Sequence, residues 1–317
     1  MKLAKIPIFL ASIALVFAAA PLSGQDLVAK ALSSFPTDTI RLEFSSPATL
    51  RKLPNYASLR EHYLGPRLKE LEDSMAELGV KESDVDQLVL GWNGAGSDLN
   101  LYGFVGGTFR SSVLDARATE RSLPPQQIGG KTGYCLGAGL ETQCVVVISP
   151  TEGAFGTLAT LSQIMQSLNV GGDSIGSNDS FARAVKQEQT DAPIWGVAVE
   201  SAVASWFKGW MPRQSAVDMD WAKVFQGVDA LGYKVQTGSN IQLDLAMFCK
   251  SEDYAGSLRQ VLEGLKLAQQ IAWQNQYPSK SNPFQKMELS QTGSQIGINI
   301  VANYGDIGGA GSPPLSQ

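Results

Sequence analysis

Histidine is nearly absent from this chain, and cysteine is scarce. The 317 residues include one histidine, His62, and three cysteines. A serine or cysteine nucleophile activated by histidine would have to work through His62, and one histidine without any C-x-x-C spacing leaves no zinc site. The sequence therefore predicts no catalytic residue, no metal and no cofactor. It indicates that His62 is a solvated or core-edge side chain on a helix.

Long apolar runs are scarce too, and the longest lies near the N-terminus. Residues 6–20 carry no charge, Lys2 and Lys5 precede them, and Pro21 and Gly24 follow. This arrangement is typical of a secretory signal peptide, and the run is too short to span a bilayer comfortably. We predict a signal peptide over residues 1–24, cleaved after Gly24 because Pro21 disfavours an earlier cut. An uncleaved N-terminal anchor is the alternative.

Cleavage places the mature protein in the periplasm or outside the cell, without a transmembrane span. The whole chain has a net charge of −5, and loss of two lysines with the leader leaves 23 basic and 30 acidic side chains, a net of about −7. An acidic protein is a poor partner for nucleic acid or for an anionic membrane surface. The composition thus argues against nucleic acid and leaves an unknown protein, lipid or glycan as partner.

Two of the cysteines are placed for a disulfide inside a β-hairpin. Two strand-forming stretches flank a predicted type II′ turn at residues 139–140. Counting outward from that turn pairs Cys135 with Cys144 at a non-hydrogen-bonded position, where Cα atoms lie about 4.5 Å apart, a distance that a disulfide accepts. Two reduced thiols or another turn register are the alternatives. Cys249 is then left over, as a buried strand residue rather than a reactive thiol.

The order of predicted elements divides the chain into two similar halves. Thr37-Asp38 and Thr190-Asp191 each precede a strand, helices, a strand, a turn and a strand. A β-α-β-β-α-β order is that of the ferredoxin-like fold, so we predict an α+β protein with two ferredoxin-like halves and mainly antiparallel sheets. The predicted parts are the signal peptide (1–24), a short lead-in segment (25–36), a first half (37–176), a second half (177–304) and a disordered Gly-, Ser- and Pro-rich tail (305–317).

Three local patterns refine this plan. The apolar run at residues 145–148 predicts a central strand covered on both faces. Thr157 is a candidate N-cap for the helix that follows it. Residues 111–130 are polar and contain Pro124-Pro125, which predicts mostly a loop or a frayed helix.

Three short stretches resemble an uncharacterised family of exported bacterial proteins with duplicated α/β halves. They are Phe35-Pro36-Thr37-Asp38-Thr39-Ile40, Gly153-Ala154-Phe155-Gly156-Thr157 and Asp191-Ala192-Pro193-Ile194-Trp195-Gly196. The resemblance covers most of the mature chain and rests on structural motifs. It implies the duplicated fold and export, and it implies no activity, substrate or catalytic residue.

An S-x-x-K at Ser205-Trp206-Phe207-Lys208 and a K-T-G at Lys131-Thr132-Gly133 match two elements of penicillin-binding proteins and serine β-lactamases. In those enzymes S-x-x-K comes first and K-T-G last, which is the reverse of the order here. The third element, S-D-N, is missing, because residues 177–179 read Ser-Asn-Asp. The simpler interpretation is that Ser205 and Lys208 lie on a packing helix.

Paired carboxylates can hydrolyse glycosides without histidine. The residue types are present on the helix that carries Glu70, Glu72, Asp73 and Glu77, but these acids lie off its apolar stripe. A solvated helix face explains them better.

The densest aromatic cluster contains Trp206, Phe207 and Trp210 on one predicted helix. Trp206 and Trp210 are spaced i, i+4 and share a helix face. Core packing between the halves is one interpretation, and a contact surface for a partner, a lipid or a glycan is the other.

The absence of a convergent nucleophile, base or metal set favours an exported non-catalytic protein of unknown role. We expect it to act by binding or as a structural component, in the cell envelope or outside the cell. The competing class is a hydrolase whose carboxylates meet only in the fold.

Overall fold

The computed structural model describes residues 24–304 except 54–55, 58–59, 61–65, 95–98, 138–141, 211–219, 277 and 280. The predicted leader up to residue 23, the turn at 139–140, His62 and the tail therefore lie outside the described residues. The described strands are β1 (Arg41–Ser45), β2 (Val85–Asn93), β3 (Asn100–Gly107), β4 (Gln126–Ile128), β5 (Lys131–Leu136), β6 (Gln143–Ser149), β7 (Glu152–Gly156), β8 (Ile194–Val199), β9 (Val228–Thr237), β10 (Ile241–Cys249), β11 (Glu288–Thr292) and β12 (Gln295–Ala302).

Helices and strands are both abundant, which confirms the α+β class. The described helices are α1 (Gly24–Ser34), α2 (Pro47–Leu50), α3 (Pro66–Glu77), α4 (Ser111–Glu120), α5 (Leu158–Val170), α6 (Asp179–Glu188), α7 (Ser201–Trp210), α8 (Trp221–Val224) and α9 (Glu252–Gln276). None of these helices is both long enough and apolar enough to cross a membrane.

All twelve described strands belong to one sheet, in the order β11-β12-β10-β9-β8-β1-β2-β3-β7-β6-β5-β4. The ladders between described neighbours are antiparallel. The ladder between β1 and β8 pairs residues 41–45 with residues 194–198. We call it the seam, because it joins the strands of the predicted first half to those of the predicted second half. The halves thus share one sheet instead of packing two separate sheets against each other.

The ferredoxin-like arrangement within each half is not confirmed. In a split β-α-β unit another strand separates the two strands that flank the first helix. Here β1 and β2 are direct antiparallel neighbours, and the same holds for β8 and β9.

The two faces of the sheet bury different cores. The front face is covered by α1, α5 and α6, and its core runs without interruption across the seam, from Phe104 and Val89 to Trp195. The back face carries two cores, one in the first half around Leu90 and one in the second half that includes α7 and α9. Apolar burial on the front face therefore ties the halves together.

Two local predictions are confirmed. Val145 belongs to the back-face core and Val146 to the front-face core, so β6 is covered on both faces as its apolar run predicts. Thr157 caps α5 by accepting a hydrogen bond from the Thr160 backbone N–H. These outcomes need only neighbouring residues, which is why the pattern alone sufficed.

Two segments hold more regular structure than their sequences indicate. The lead-in segment is a helix, α1, whose Leu27, Val28 and Ala31 are buried against the front face. Residues 111–130, expected to be mostly loop, contain α4 and β4. Only Leu114 and Ala118 of α4 are buried, so this helix has a weak apolar stripe and owes its formation to tertiary packing.

Candidate functional site

The hairpin of β5 and β6 pairs Cys135 with Cys144, the register expected from the sequence. The two residues form a disulfide, with their Cα atoms 3.9 Å apart. Cys249 is free and buried. Burial, with a smaller contribution from Asp229, raises the pKa of the Cys249 thiol to about 11, so this cysteine is a packing residue and not a nucleophile.

The aromatic cluster belongs to the core. Trp206 is 6% exposed and Phe207 is 8% exposed. The Trp206 ring lies 5.4 Å from that of Tyr233, and the Phe207 ring stacks 4.4 Å from that of Phe225. These contacts favour core packing over a contact surface for both residues. Trp210 lies in α7, and its side chain is outside the described parts.

Among the side chains that the structure describes, the other sequence candidates do not converge on a site. Asp73 and Glu77 are exposed on α3, while Glu72 is half-buried and pairs with Arg60. Glu77 pairs with Arg121 at 2.6 Å. Among the residues whose side chains are described, no three His, Cys, Asp or Glu side chains gather as a metal site would require.

A buried charged group that the sequence did not reveal lies at the seam. We call Arg41, Glu43 and Tyr233 the seam cluster; their exposed fractions are 6%, 1% and 0%. The Arg41 guanidinium donates to the Glu43 carboxylate at 2.6 Å and to the Tyr233 hydroxyl oxygen at 3.1 Å. The Tyr233 hydroxyl in turn donates to Glu43. The guanidinium carbon lies 4.4 Å from the centre of the Trp92 ring.

Electrostatics keep Tyr233 and Arg41 of the seam cluster protonated. Burial raises the pKa of Tyr233 well above its usual range, so the phenol remains a donor. Burial alone would lower the pKa of Arg41, but Tyr233 and Glu43 outweigh that effect and raise it. A sealed, internally paired cluster of this kind has no path to a ligand, which makes it structural in character.

A second polar group lies on the front face and is partly open to solvent. We call Glu188, Lys234, Gln242, Asp244 and Asn299 the Asp244 cluster. The Gln242 amide donates to both carboxylate oxygens of Asp244, at 3.1 and 3.0 Å, and the Asn299 amide donates to one of them at 2.6 Å. Lys234 pairs with Asp244 across the β9–β10 ladder. Its Nζ atom lies 3.4 Å from Glu188 Oε2.

Glu188 is a buried acid of this cluster, and its pKa is shifted. Its side chain is 3% exposed, and it covers Gly232, where an added β-carbon would overlap it. Burial raises the pKa of Glu188, Lys234 opposes the shift and Asp244 adds to it. A shifted acid beside a lysine and a second carboxylate can take part in proton transfer.

The Asp244 cluster borders a surface that we call the open face, the front side of β10, β12 and β11. The back side of these strands packs against α9, whereas within the described parts of the chain no helix crosses β12 or β11 on the front. Gln242, Asp244, Ala246 and Phe248 are half-buried there, and Glu288, Ser290 and Thr292 are exposed. The open face therefore presents mainly carboxylate, amide and hydroxyl groups to solvent.

Sequence reasoning missed both clusters because their members come from distant segments. Arg41 and Glu43 alternate with apolar residues, which predicts a solvated strand face. One signal was available: Gly196 interrupts an apolar strand, and a glycine there marks a close approach of other groups. A β-carbon at Gly196 would overlap the Tyr233 ring.

Comparisons with known proteins identify a similar fold. No protein-family model matches the sequence, and no curated protein matches it either. Crystal form III of TP0453 superposes with a TM-score of 0.52 at 8% identity, covering 89% of this chain and 97% of that one. Crystal form I gives a TM-score of 0.48 at 7% identity, over 86% of this chain and 91% of that one. The first of these likenesses shows a shared fold and nothing about activity.

Proposed function

We propose that this protein is exported and acts without catalysis, by binding a partner or as a structural component of the cell envelope or the cell exterior. The observation that carries the proposal is the open face. It is a solvent-facing part of the sheet with an ordered array of polar side chains, while the charged seam cluster is sealed from any ligand.

The arrangement of helices on the front face supports a binding role for the open face. Counting outward from the seam, β7 and β6 are the fourth and fifth strands of the first half, and α5 packs on them. The fourth and fifth strands of the second half are β12 and β11. Their front sides carry polar residues in place of an apolar bed for a helix, which suits water or a polar partner.

The same outward count supports an internal duplication. The strands run β1-β2-β3-β7-β6 on one side of the seam and β8-β9-β10-β12-β11 on the other. In both series the second and third strands, and the fourth and fifth, are consecutive in the chain. We include duplication in the proposal on this ground.

Export is supported by the leader pattern and by the Cys135–Cys144 disulfide, since disulfides persist in oxidising compartments. N-terminal sequencing of protein recovered from the periplasmic and extracellular fractions tests it. A mature N-terminus near Gln25 is expected. A chain found only in the cytosol and starting at Met1 contradicts export.

The binding role is tested by cross-linking the mature protein to envelope extract. Ser290→Arg with Thr292→Arg places two cations on the exposed positions of β11, and a partner bound there should be lost. Gln163→Arg with Gln166→Arg makes the same charge change on exposed positions of α5 and should keep the partner. Equal retention by both variants would show that the open face is not the binding surface.

A hydrolase is the second candidate, because folding brings Glu188 and Asp244 to either side of Lys234. A panel of glycoside and ester substrates, assayed with wild type and with Glu188→Gln, separates the two functions. Turnover by wild type that falls at least tenfold in Glu188→Gln would favour the hydrolase. No turnover by either protein favours the binder.

A further inference from the structure

The sequence of β8, the strand by which the second half pairs with β1 at the seam, contains little that could set its register. All six positions of β8 are apolar or glycine, and all six are buried. When a strand is polar on one face, a slip in register buries polar groups and is costly. A strand that is apolar on both faces lacks this safeguard.

The seam cluster makes contacts across β8 that depend on its alignment with β1 and β9. Gly196 on β8 pairs with Glu43 on β1 and with Tyr233 on β9, so the three residues form one row across the sheet. Because Gly196 has no side chain, the Tyr233 ring can pass over β8 and bring its hydroxyl to Glu43 and Arg41. Sliding β1 by two residues would set Glu43 opposite Ile194 or Ala198, away from that hydroxyl.

The same device occurs on the other side of β1 and on the opposite face. Gly91 on β2 pairs with Leu42 on β1 and with Tyr102 on β3. A β-carbon at Gly91 would overlap the Tyr102 ring, and the Tyr102 hydroxyl lies 2.6 Å from Thr39 Oγ1, just before β1 begins. On each side of β1, a tyrosine two strands away thus crosses a glycine to reach a polar group of this segment.

We propose that these contacts are a register latch: Tyr233 over Gly196, together with Arg41 and Glu43, specifies the single alignment in which the two halves join into one sheet. Buried ion pairs cost desolvation, and their best-attested structural use is to select one register among several of similar apolar burial. The latch acts on β1 and β8 and is independent of the binding role of the open face.

Fluorine NMR of protein labelled with 5-fluorotryptophan tests the latch. The chain has six tryptophans, and Trp195 lies on β8 with its ring stacked 5.8 Å from that of Phe44 on β1. Trp195 faces the front core, away from the seam cluster, so its resonance reports the register without touching the substituted side chains. Wild type should show one Trp195 resonance, assigned by Trp195→Phe.

The test variant combines Arg41→Met, Glu43→Leu and Tyr233→Phe, which keeps the volume of the cluster and removes its polarity. It should fold and show two Trp195 resonances, one for each register. Lys30→Met with Glu152→Leu removes another ion pair whose carboxylate is buried, away from the seam, and should leave the resonance single. A folded triple variant with a single Trp195 resonance would overturn the proposal.

A triple variant that fails to fold is replaced by Tyr233→Phe alone. This change removes only the hydroxyl that bonds to Glu43 and Arg41 in the native register. A second, weaker Trp195 resonance is expected. A single resonance in that variant contradicts the latch equally.

Discussion

At the residue scale, the fold surrounds its most deeply buried charges with partners. Arg41 has Glu43, Tyr233 and the Trp92 ring, and Glu152 on β7 has Lys30 on α1. Removing one member of such a pair leaves the other charge buried without a partner, which destabilises the fold. Replacing both members by apolar side chains leaves no unpaired charge.

Arg41→Met should therefore lower the free energy of unfolding by about 3–5 kcal/mol, because Glu43 loses its buried counter-charge. Adding Glu43→Leu to Arg41→Met should recover more than half of that loss. Urea denaturation of both variants measures the difference. Arg117→Met, which disrupts an exposed pair with Glu120, serves as the control and should cost less than about 0.5 kcal/mol. Equal losses in the single and double variants would show that charge pairing at the seam is unimportant.

Glu188 should make stability depend on pH in the unusual direction for an acid. The pKa of Glu188 in the folded protein is raised, mainly by burial. Its contribution to the free energy of unfolding is therefore fully present below its pKa in the unfolded chain, about 4.3. That contribution is lost as pH rises through the folded pKa. Glu188→Gln should thus be more stable than wild type at pH 7 and similar to it near pH 4.

Thermal unfolding between pH 4 and pH 8 measures this dependence. Glu120→Gln, at an exposed acid on α4, should track wild type throughout the range. A Glu188→Gln variant that loses stability at neutral pH would mean that the ion pair with Lys234 outweighs burial.

At the element scale, the β5–β6 hairpin is held by its disulfide as well as by its ladder. The bridged cysteines are nine residues apart, and closing a loop of that length in the unfolded chain is worth about 2–3 kcal/mol. Cys135→Ala with Cys144→Ala should lower the free energy of unfolding by about that amount. Denaturation with and without dithiothreitol provides the check, because reductant should destabilise wild type and leave the variant unchanged. An equal response of both proteins would show that the Cys135–Cys144 disulfide does not stabilise the fold.

Elements whose signals are local could be predicted, and those that depend on neighbours could not. The Thr157 cap and the strand at residues 145–148 were predicted correctly. A helix cap is recognised from the first helical turn, and a strand covered on both faces is recognised from its own apolar run. For α4, two buried residues make an apolar stripe too weak to predict a helix. The Asp244 cluster gathers residues from α6, β9, β10 and β12, and no spacing in the sequence brings them together.

At the scale of the whole molecule, the halves are predicted to unfold together. The front-face core joins α1, α6 and the strands on both sides of the seam, so opening one half exposes apolar surface of the other. Tryptophan fluorescence, far-UV circular dichroism and hydrogen exchange should give one coincident transition in urea. Loss of protection in β10 and β12 well before β2 and β3 would show that the halves unfold as separate units.

The sequence by itself determined the α+β class and most strands, because these follow from side-chain periodicity within short segments. It favoured the register that pairs Cys135 with Cys144, and the structure decided between that register and the alternatives. Only the tertiary structure decided that the halves share one sheet and that Trp206 and Phe207 are buried. It alone showed that Arg41 and Glu43, on a strand of alternating polarity, face a core. The reason is physical: periodicity shows which side chains share a face, while the cover on that face, here Tyr233 crossing Gly196, comes from residues far away in the chain.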